Sequence, residues 1–127
     1  MLSRILLALC GLLLLGMLVA CGAGGTAGSL EYVSGGDADE GRRKIADVGC
    51  GSCHVIPGVP GADSTVGPPL TQWADRVYIA GALANEPENL VQWLLDPQAI
   101  EPGTAMPNLL LSEKDARDIS AFLYTLR

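Results

Sequence analysis

The run Cys50-Gly51-Ser52-Cys53-His54 holds the residues best equipped for chemistry. Two thiols three positions apart, with an imidazole beside the second, suit covalent attachment of a c-type haem. On a tight turn each thiol can add to one porphyrin vinyl group, and the adjacent His54 is then directed at the iron as proximal ligand. Three other chemistries compete for the same residues. A thioredoxin-like redox pair calls for a βαβ context, and none is visible. A structural zinc site needs four ligands. Without the N-terminal segment described below only Cys50, Cys53 and His54 are soft ligands, so a carboxylate would have to complete the set. A disulfide between Cys50 and Cys53 would close a small strained loop and leave His54 without a role. Haem accounts for all three residues.

The second axial ligand follows from the same inventory. His54 is the only histidine, so two histidines from one molecule cannot flank the iron. Methionine occurs at 1, 17 and 106, and the first two lie in the N-terminal segment. Met106 sits in Glu101-Pro102-Gly103-Thr104-Ala105-Met106-Pro107, where a turn could hold the thioether toward a buried cofactor. A lone methionine is ordinarily core filling. Here flanking prolines disfavour a packed helix, and the iron needs either a ligand or an open face, so Met106 is expected to ligate. His/Met ligation raises the reduction potential and leaves no vacant position for oxygen or peroxide chemistry.

Residues 1–20 read as an export signal: Arg4 is the only charge, and an apolar run from Ile5 to Ala20 follows it. That run is shorter than the ~20 residues that comfortably span a bilayer. It ends in Leu18-Val19-Ala20-Cys21, which resembles the lipobox of bacterial lipoproteins. The resemblance implies cleavage before Cys21 and lipidation of Cys21, placing the chain in the bacterial cell envelope, facing the periplasm or the cell exterior. The competing reading is an uncleaved signal-anchor helix. Cys10 has no assigned role. Residues 21–36 are rich in Gly and Ser and read as a lipidated cysteine plus a flexible tether reaching ~20 Å; whether Tyr32 and Val33 pack is left open.

A domain is expected over 37–127, all-α, with three to four helices that must position these groups. The first starts at Asp37-x-x-Glu40, a capping-box pattern, carries Ala38, Gly41, Ile45 and Val48 on one face, and ends at Gly49. The second spans 86–95, with Asn85 as N-cap, Pro87 in its first turn and Asp96-Pro97 as its stop. The last starts at the capping box Ser112-x-x-Asp115 and shows a stripe of Ala116, Ile119, Phe122, Leu123 and Leu126. A shorter helix is expected over 70–78. No stretch alternates long enough to indicate a sheet. The Pro- and Gly-rich segments 55–69 and 98–106 read as loops of functional length.

A formal charge of −6 argues against nucleic acid and anionic lipid surfaces as partners, since both need clustered cations. Only 5% of residues are aromatic, which makes a thin core that a haem would fill.

Over roughly 37–127 the chain resembles the class I (mitochondrial-type) monohaem cytochromes c, especially the cytochrome c domains associated with bacterial haem-copper oxidases. Besides Cys50 to His54, the matching motifs are Gly67-Pro68-Pro69-Leu70, Asn89-Leu90-x-x-Trp93-x-x-Asp96-Pro97, Pro102-Gly103-Thr104-x-Met106-Pro107 and Asp118-Ile119-x-x-Phe122-Leu123. The resemblance implies one covalent haem c, with the Pro68 carbonyl accepting from His54 and Leu70 on the haem face. It places Trp93 near the methionine sulfur, Thr104 and Arg76 at the two haem propionates, and Gly41 with Ile45 where the first helix crosses the last. It also implies an electron carrier rather than an enzyme, with no small-molecule substrate. The partners would be membrane-bound respiratory complexes: a quinol-oxidising complex as donor and a terminal oxidase as acceptor, with the chain as a tethered carrier or a subunit of one of them. The alternatives are the haem subunit of a periplasmic dehydrogenase, or a haem sensor or peroxidase-like protein. The family's lysine-led docking does not transfer, because Lys44 and Lys114 are the only lysines.

Overall fold

The computed structural model describes residues 33–127. The expected export signal, Cys10, the expected lipidation site Cys21 and the expected tether up to residue 32 lie outside the described residues. Four helices carry the fold: α1 (Ala38–Val48), α2 (Pro87–Leu95), the single turn α3 (Pro97–Ile100) and α4 (Glu113–Leu123). No helix among the described residues is long and apolar enough to cross a membrane.

α1 begins where Asp37, in extended backbone, accepts from the Glu40 N–H, and it ends at Gly49, whose φ of 84° suits glycine. The start is half of the expected capping box. Glu40 turns to Arg43 instead, and the Asp37 N–H donates to Asp118 Oδ1 at 2.7 Å. α4 has the full reciprocal box between Ser112 and Asp115. Its expected stripe is buried, with Ala116, Ile119, Phe122 and Leu123 inside and Leu126 packed at the margin.

α1 and α4 form the most extensive helix contact. They cross at Gly41: a Cβ there would lie 1.9 Å from the Asp118 carbonyl oxygen. Backbone meets backbone, which only glycine permits. Packing on α4 also begins upstream of 37. Val33 is buried, Gly36 N–H closes a turn on the Val33 carbonyl, and the Ser34 carbonyl accepts from Arg117. Arg117 further joins Glu88 and Glu113, tying α2 to α4.

Four expectations between α1 and α4 are corrected. The segment 70–78 holds only a short 3-10 turn, Trp73–Asp75. A small antiparallel hairpin then pairs Tyr78 with Ala84 and Ile79 with Leu83, so the all-α domain carries a minor sheet after all. Two-residue strands cannot show alternation, which is why the pattern was invisible. Asn85 is not the N-cap of α2. Glu86 holds that position without a side-chain cap bond. Asn85 instead donates from Nδ2 to the Trp73 and Arg76 carbonyls and accepts from the Tyr124 hydroxyl, fastening the 73–76 turn to the end of α4. The segment after Asp96 is helical for one more turn as α3, with the Asp96 carboxylate accepting from Ala99 N–H.

The helix starts make stability acid-sensitive. Donation from the Glu40 N–H holds the Asp37 carboxyl below its ordinary value of 3.8. The Ser112 hydroxyl, then Lys44, do the same for Asp115. A carboxyl lowered on folding stabilises while ionised; its contribution is complete above the unfolded value and is lost as pH falls through the folded one. The denaturation midpoint is therefore expected to drop between pH 6 and pH 3. The double substitution Asp37→Asn and Asp115→Asn should flatten that drop, and an unchanged pH profile in the double variant would contradict this reading.

Candidate functional site

Gly49 turns the chain out of α1 directly into a 3-10 turn over Cys50–Ser52. The Ser52 hydroxyl donates back to the Gly49 carbonyl at 2.7 Å, and the Cys53 and His54 N–H groups both converge on the Cys50 carbonyl. Both thiols and the imidazole thus stand on one turn. Neither thiol is in a disulfide, which removes that competing reading. Burial pushes the Cys50 thiol up, favouring its neutral form. Among the described residues no group of three or more His, Cys, Asp or Glu side chains is arranged to hold a metal ion by itself, so zinc finds no completing carboxylate.

The loop after His54 folds on itself. Val55 bridges Asp63, Ile56 N–H donates to Ala62, and Ile56, Val59 and Ala62 are buried. It then returns alongside the cysteine turn, with Gly67 N–H donating to Cys53 at 2.7 Å and Leu70 N–H to Val55 at 2.8 Å. This return brings the Pro68 carbonyl to 2.7 Å from His54 Nδ1, as the resemblance implied. A proton on Nδ1 shared with that carbonyl fixes the ring and leaves the Nε2 lone pair for a metal. Leu70 is buried.

Gly67, which sequence reasoning had not singled out on its own, sets how close the return can come. A Cβ at Gly67 would lie 2.6 Å from His54 Cε1 and 2.9 Å from Nδ1. Gly67→Ala must displace the ring or the loop, at an expected cost of about 1–3 kcal/mol in urea denaturation. A variant as stable as the parent would remove Gly67 from this role.

Arg76 stands over the Trp73 ring, 5.1 Å from its centroid. Its Nη2 donates to the Pro69 carbonyl and, at 3.1 Å, to that of Thr71. Desolvation lowers its pKa. Trp73 is buried, and its Nε1 is the buried side-chain polar atom that lacks a hydrogen-bond partner among the described residues.

On the Met106 side, α3 leads into a turn at Gly103, whose φ is 87°. Gln98, unremarked in the sequence, clamps this turn. Its Nε2 donates to the Thr104 and Met106 carbonyls at 2.7 and 3.2 Å, and its Oε1 accepts from Gly103 N–H. Thr104 Oγ1 accepts from Met106 N–H at 3.5 Å. Met106 is half-buried against the core, and Trp93 is buried in α2. Among the described residues no direct hydrogen bond joins the His54 segment to the Met106 loop.

A helical domain that sets two thiols and a carbonyl-oriented imidazole on one turn, and a clamped methionine on a separate loop, has the donor set of a c-type haem protein. The unpaired thiols, the oriented ring and the soft thioether fit that group. The cytochrome c family model matches residues 38–127, and the chain belongs to that family, with the class I fold. The family is one of covalently bound haem c. The chain is 35% identical over 91 residues to cytochrome c oxidase subunit 2 of Alkalihalophilus pseudofirmus, covering 71% of this chain and 26% of that protein. It is 32% identical over 87 residues to cytochrome c oxidase subunit 2 of Bacillus sp. strain PS3, covering 65% and 24% respectively. The same subunit of Bacillus subtilis is 33% identical over 85 residues, covering 62% and 24%. The chain spans about a quarter of the length of these relatives.

Proposed function

We propose that this chain is a membrane-tethered cytochrome with a single haem c. It carries electrons one at a time from a quinol-oxidising complex to a terminal oxidase, as a mobile tethered carrier or as a subunit of one of them. The observation that carries this reading is the orientation of His54 by the Pro68 carbonyl beside two unpaired thiols. When bound, the haem supplies a one-electron Fe(III)/Fe(II) couple. Cys50 and Cys53 would hold it through thioethers, and His54 Nε2 and the Met106 sulfur would ligate its iron. Leu70 and Trp93 would exclude water from its two sides, while Thr104 and Arg76 would meet its carboxylates. Pro68 orients the His54 ring and Gln98 holds the backbone of the Met106 loop, so both side chains would change position little between oxidation states, which would keep reorganisation small.

The similarity to oxidase subunits supports a terminal oxidase as acceptor. Lysine-led docking has no support: Lys44 is paired with Asp115 across the α1–α4 contact and Lys114 with Asp118 within α4. A lipid on Cys21 followed by the Gly-rich tether would replace steering by charge, raising the domain's effective concentration at a membrane partner. Stable anchoring takes more than one acyl chain.

Extraction of the native protein from membranes in mild detergent tests the whole reading. The expected product carries a lipid at Cys21 and one haem per chain, co-purifies with an oxidase, and in its reduced form does not bind CO at neutral pH. Prompt CO binding would overturn the electron-carrier assignment, and a product without acyl chains would overturn the tether.

A further inference from the structure

We infer that Gln98 is the positioning residue for the Met106 sulfur: its amide latches the loop that carries the thioether, and release of that latch opens the site to a small external ligand. The inference rests on the haem site proposed above and names the residue that decides how often its methionine lets go.

Met106 stands in a segment with few holds of its own. Its N–H reaches Thr104 Oγ1 only at 3.5 Å, and Pro107 after it has no N–H to give. From there to Ser112 the chain forms no helix or strand. The firmer hydrogen bonds come from Gln98. Its Nε2 donates to the carbonyls of Thr104 and Met106 at 2.7 and 3.2 Å, gathering the residues before and after Ala105 on one nitrogen. Its Oε1 accepts from Gly103 N–H at 3.2 Å. A primary amide offers two N–H donors and one acceptor oxygen, and both kinds are used here. Gln98 is itself fixed in place. Pro97 beside it is buried, and α3 is held by Asp96 on Ala99 N–H and by Glu101 N–H on the Pro97 carbonyl. All three latch bonds lie at the surface, where water competes for each group. The latch can therefore open without disturbing the core.

What could replace the sulfur decides what an opening does. The stretch 55–112 contains neither histidine nor lysine. The two lysines lie outside it, Lys44 held by Asp115 and Lys114 by Asp118. The Asp118 carboxylate also raises the pKa of Lys114, and an ammonium has no lone pair with which to ligate. Among the described residues, then, no nitrogen side chain stands ready to take the place of Met106. An opened loop leaves that place to a small molecule from solution.

The test is cyanide binding to the oxidised holoprotein. At saturating cyanide the rate is limited by how often Met106 leaves. Gln98→Ala is expected to raise that limiting rate roughly tenfold or more, the effect of losing one or two net hydrogen bonds. The resting protein should keep its sulfur-to-iron charge-transfer band. Gln98→Glu is expected to match the alanine variant at neutral pH. Its ionised carboxylate can still accept from Gly103 but has no hydrogen to give the two carbonyls. Arg117→Ala controls for general loosening, because it cuts the ties to Glu88, Glu113 and Ser34 far from this loop in sequence. It should lower the urea midpoint and leave the limiting rate alone. An unchanged rate in Gln98→Ala, a Gln98→Glu as slow as the parent, or an equal acceleration by Arg117→Ala overturns the inference while leaving the haem site standing. A parent protein that lacks the sulfur band and binds cyanide at once has no methionine ligand, and overturns both.

Discussion

Met106→Ala is expected to leave the haem covalently attached and to change almost everything else about the iron. The thioethers depend on Cys50 and Cys53 alone, so the haem content per chain should stay constant. The sulfur-to-iron charge-transfer band should vanish, and the reduced protein should bind CO through the open position. The reduction potential should fall by a sizeable part of the roughly 0.8 V range that axial ligand identity spans. No second methionine can substitute, since Met106 is the only one among the described residues. The argument for so large an effect is that the structure invests in this sulfur. A four-residue helix, a Pro-Gly turn at positive φ and three hydrogen bonds from one glutamine side chain all fix the backbone on which it sits. A core-filling methionine needs none of these. An unchanged band would remove Met106 from the site.

What could be read in the sequence was what is local. The cysteine turn, the helix caps at Asp37 and Ser112 and the stripe of α4 each place their signal and its partner within a few residues, so spacing alone exposes them. The residues that were misread or missed have distant partners. Asn85 looks like a helix cap because Pro87 follows it, yet its hydrogen bonds go to Trp73 and Tyr124, 12 and 39 positions away. Asp118 carries a charge on an otherwise apolar helix face, yet it is buried because it receives the N–H of Asp37, 81 residues earlier. Gln98 is an ordinary exposed polar residue until the turn at Gly103 folds back on it. At the site, the Pro68 carbonyl was legible only through family resemblance, because nothing in a Gly-Pro-Pro run announces which carbonyl an imidazole fourteen residues earlier will meet. The hairpin over 78–84 left only a faint trace: Gly81 has the positive φ of a turn residue, but Ala80 before it carries positive φ as well, where a second glycine or an asparagine would have marked the turn.

The largest stability loss is expected at Gly41→Ala. The added methyl would stand 1.9 Å from the Asp118 carbonyl oxygen, 2.4 Å from its carbon and 2.9 Å from Ile119 N. All three are backbone atoms within α4, so no side-chain rotation can make room and the helices must separate. Overpacking ordinarily costs about 1–3 kcal/mol. Here the separation also strains the Asp37 N–H to Asp118 bond, itself worth about 1 kcal/mol. A total near 3 kcal/mol corresponds to a melting-point drop of about 12–24 °C for a domain of this size. Gly49→Ala is the fitting comparison, because it isolates the backbone effect from the close approach. Gly49 has φ of 84° and nothing within 4 Å of where a methyl would stand, so alanine there meets only left-handed strain of about 1–2 kcal/mol. Calorimetry of the two haem-loaded variants should therefore rank Gly41→Ala well below Gly49→Ala. Equal melting points would mean that the crossing of α1 and α4 opens for no more than the about 1–2 kcal/mol of left-handed strain, and the frame that presents Cys50 at the end of α1 would not be rigid.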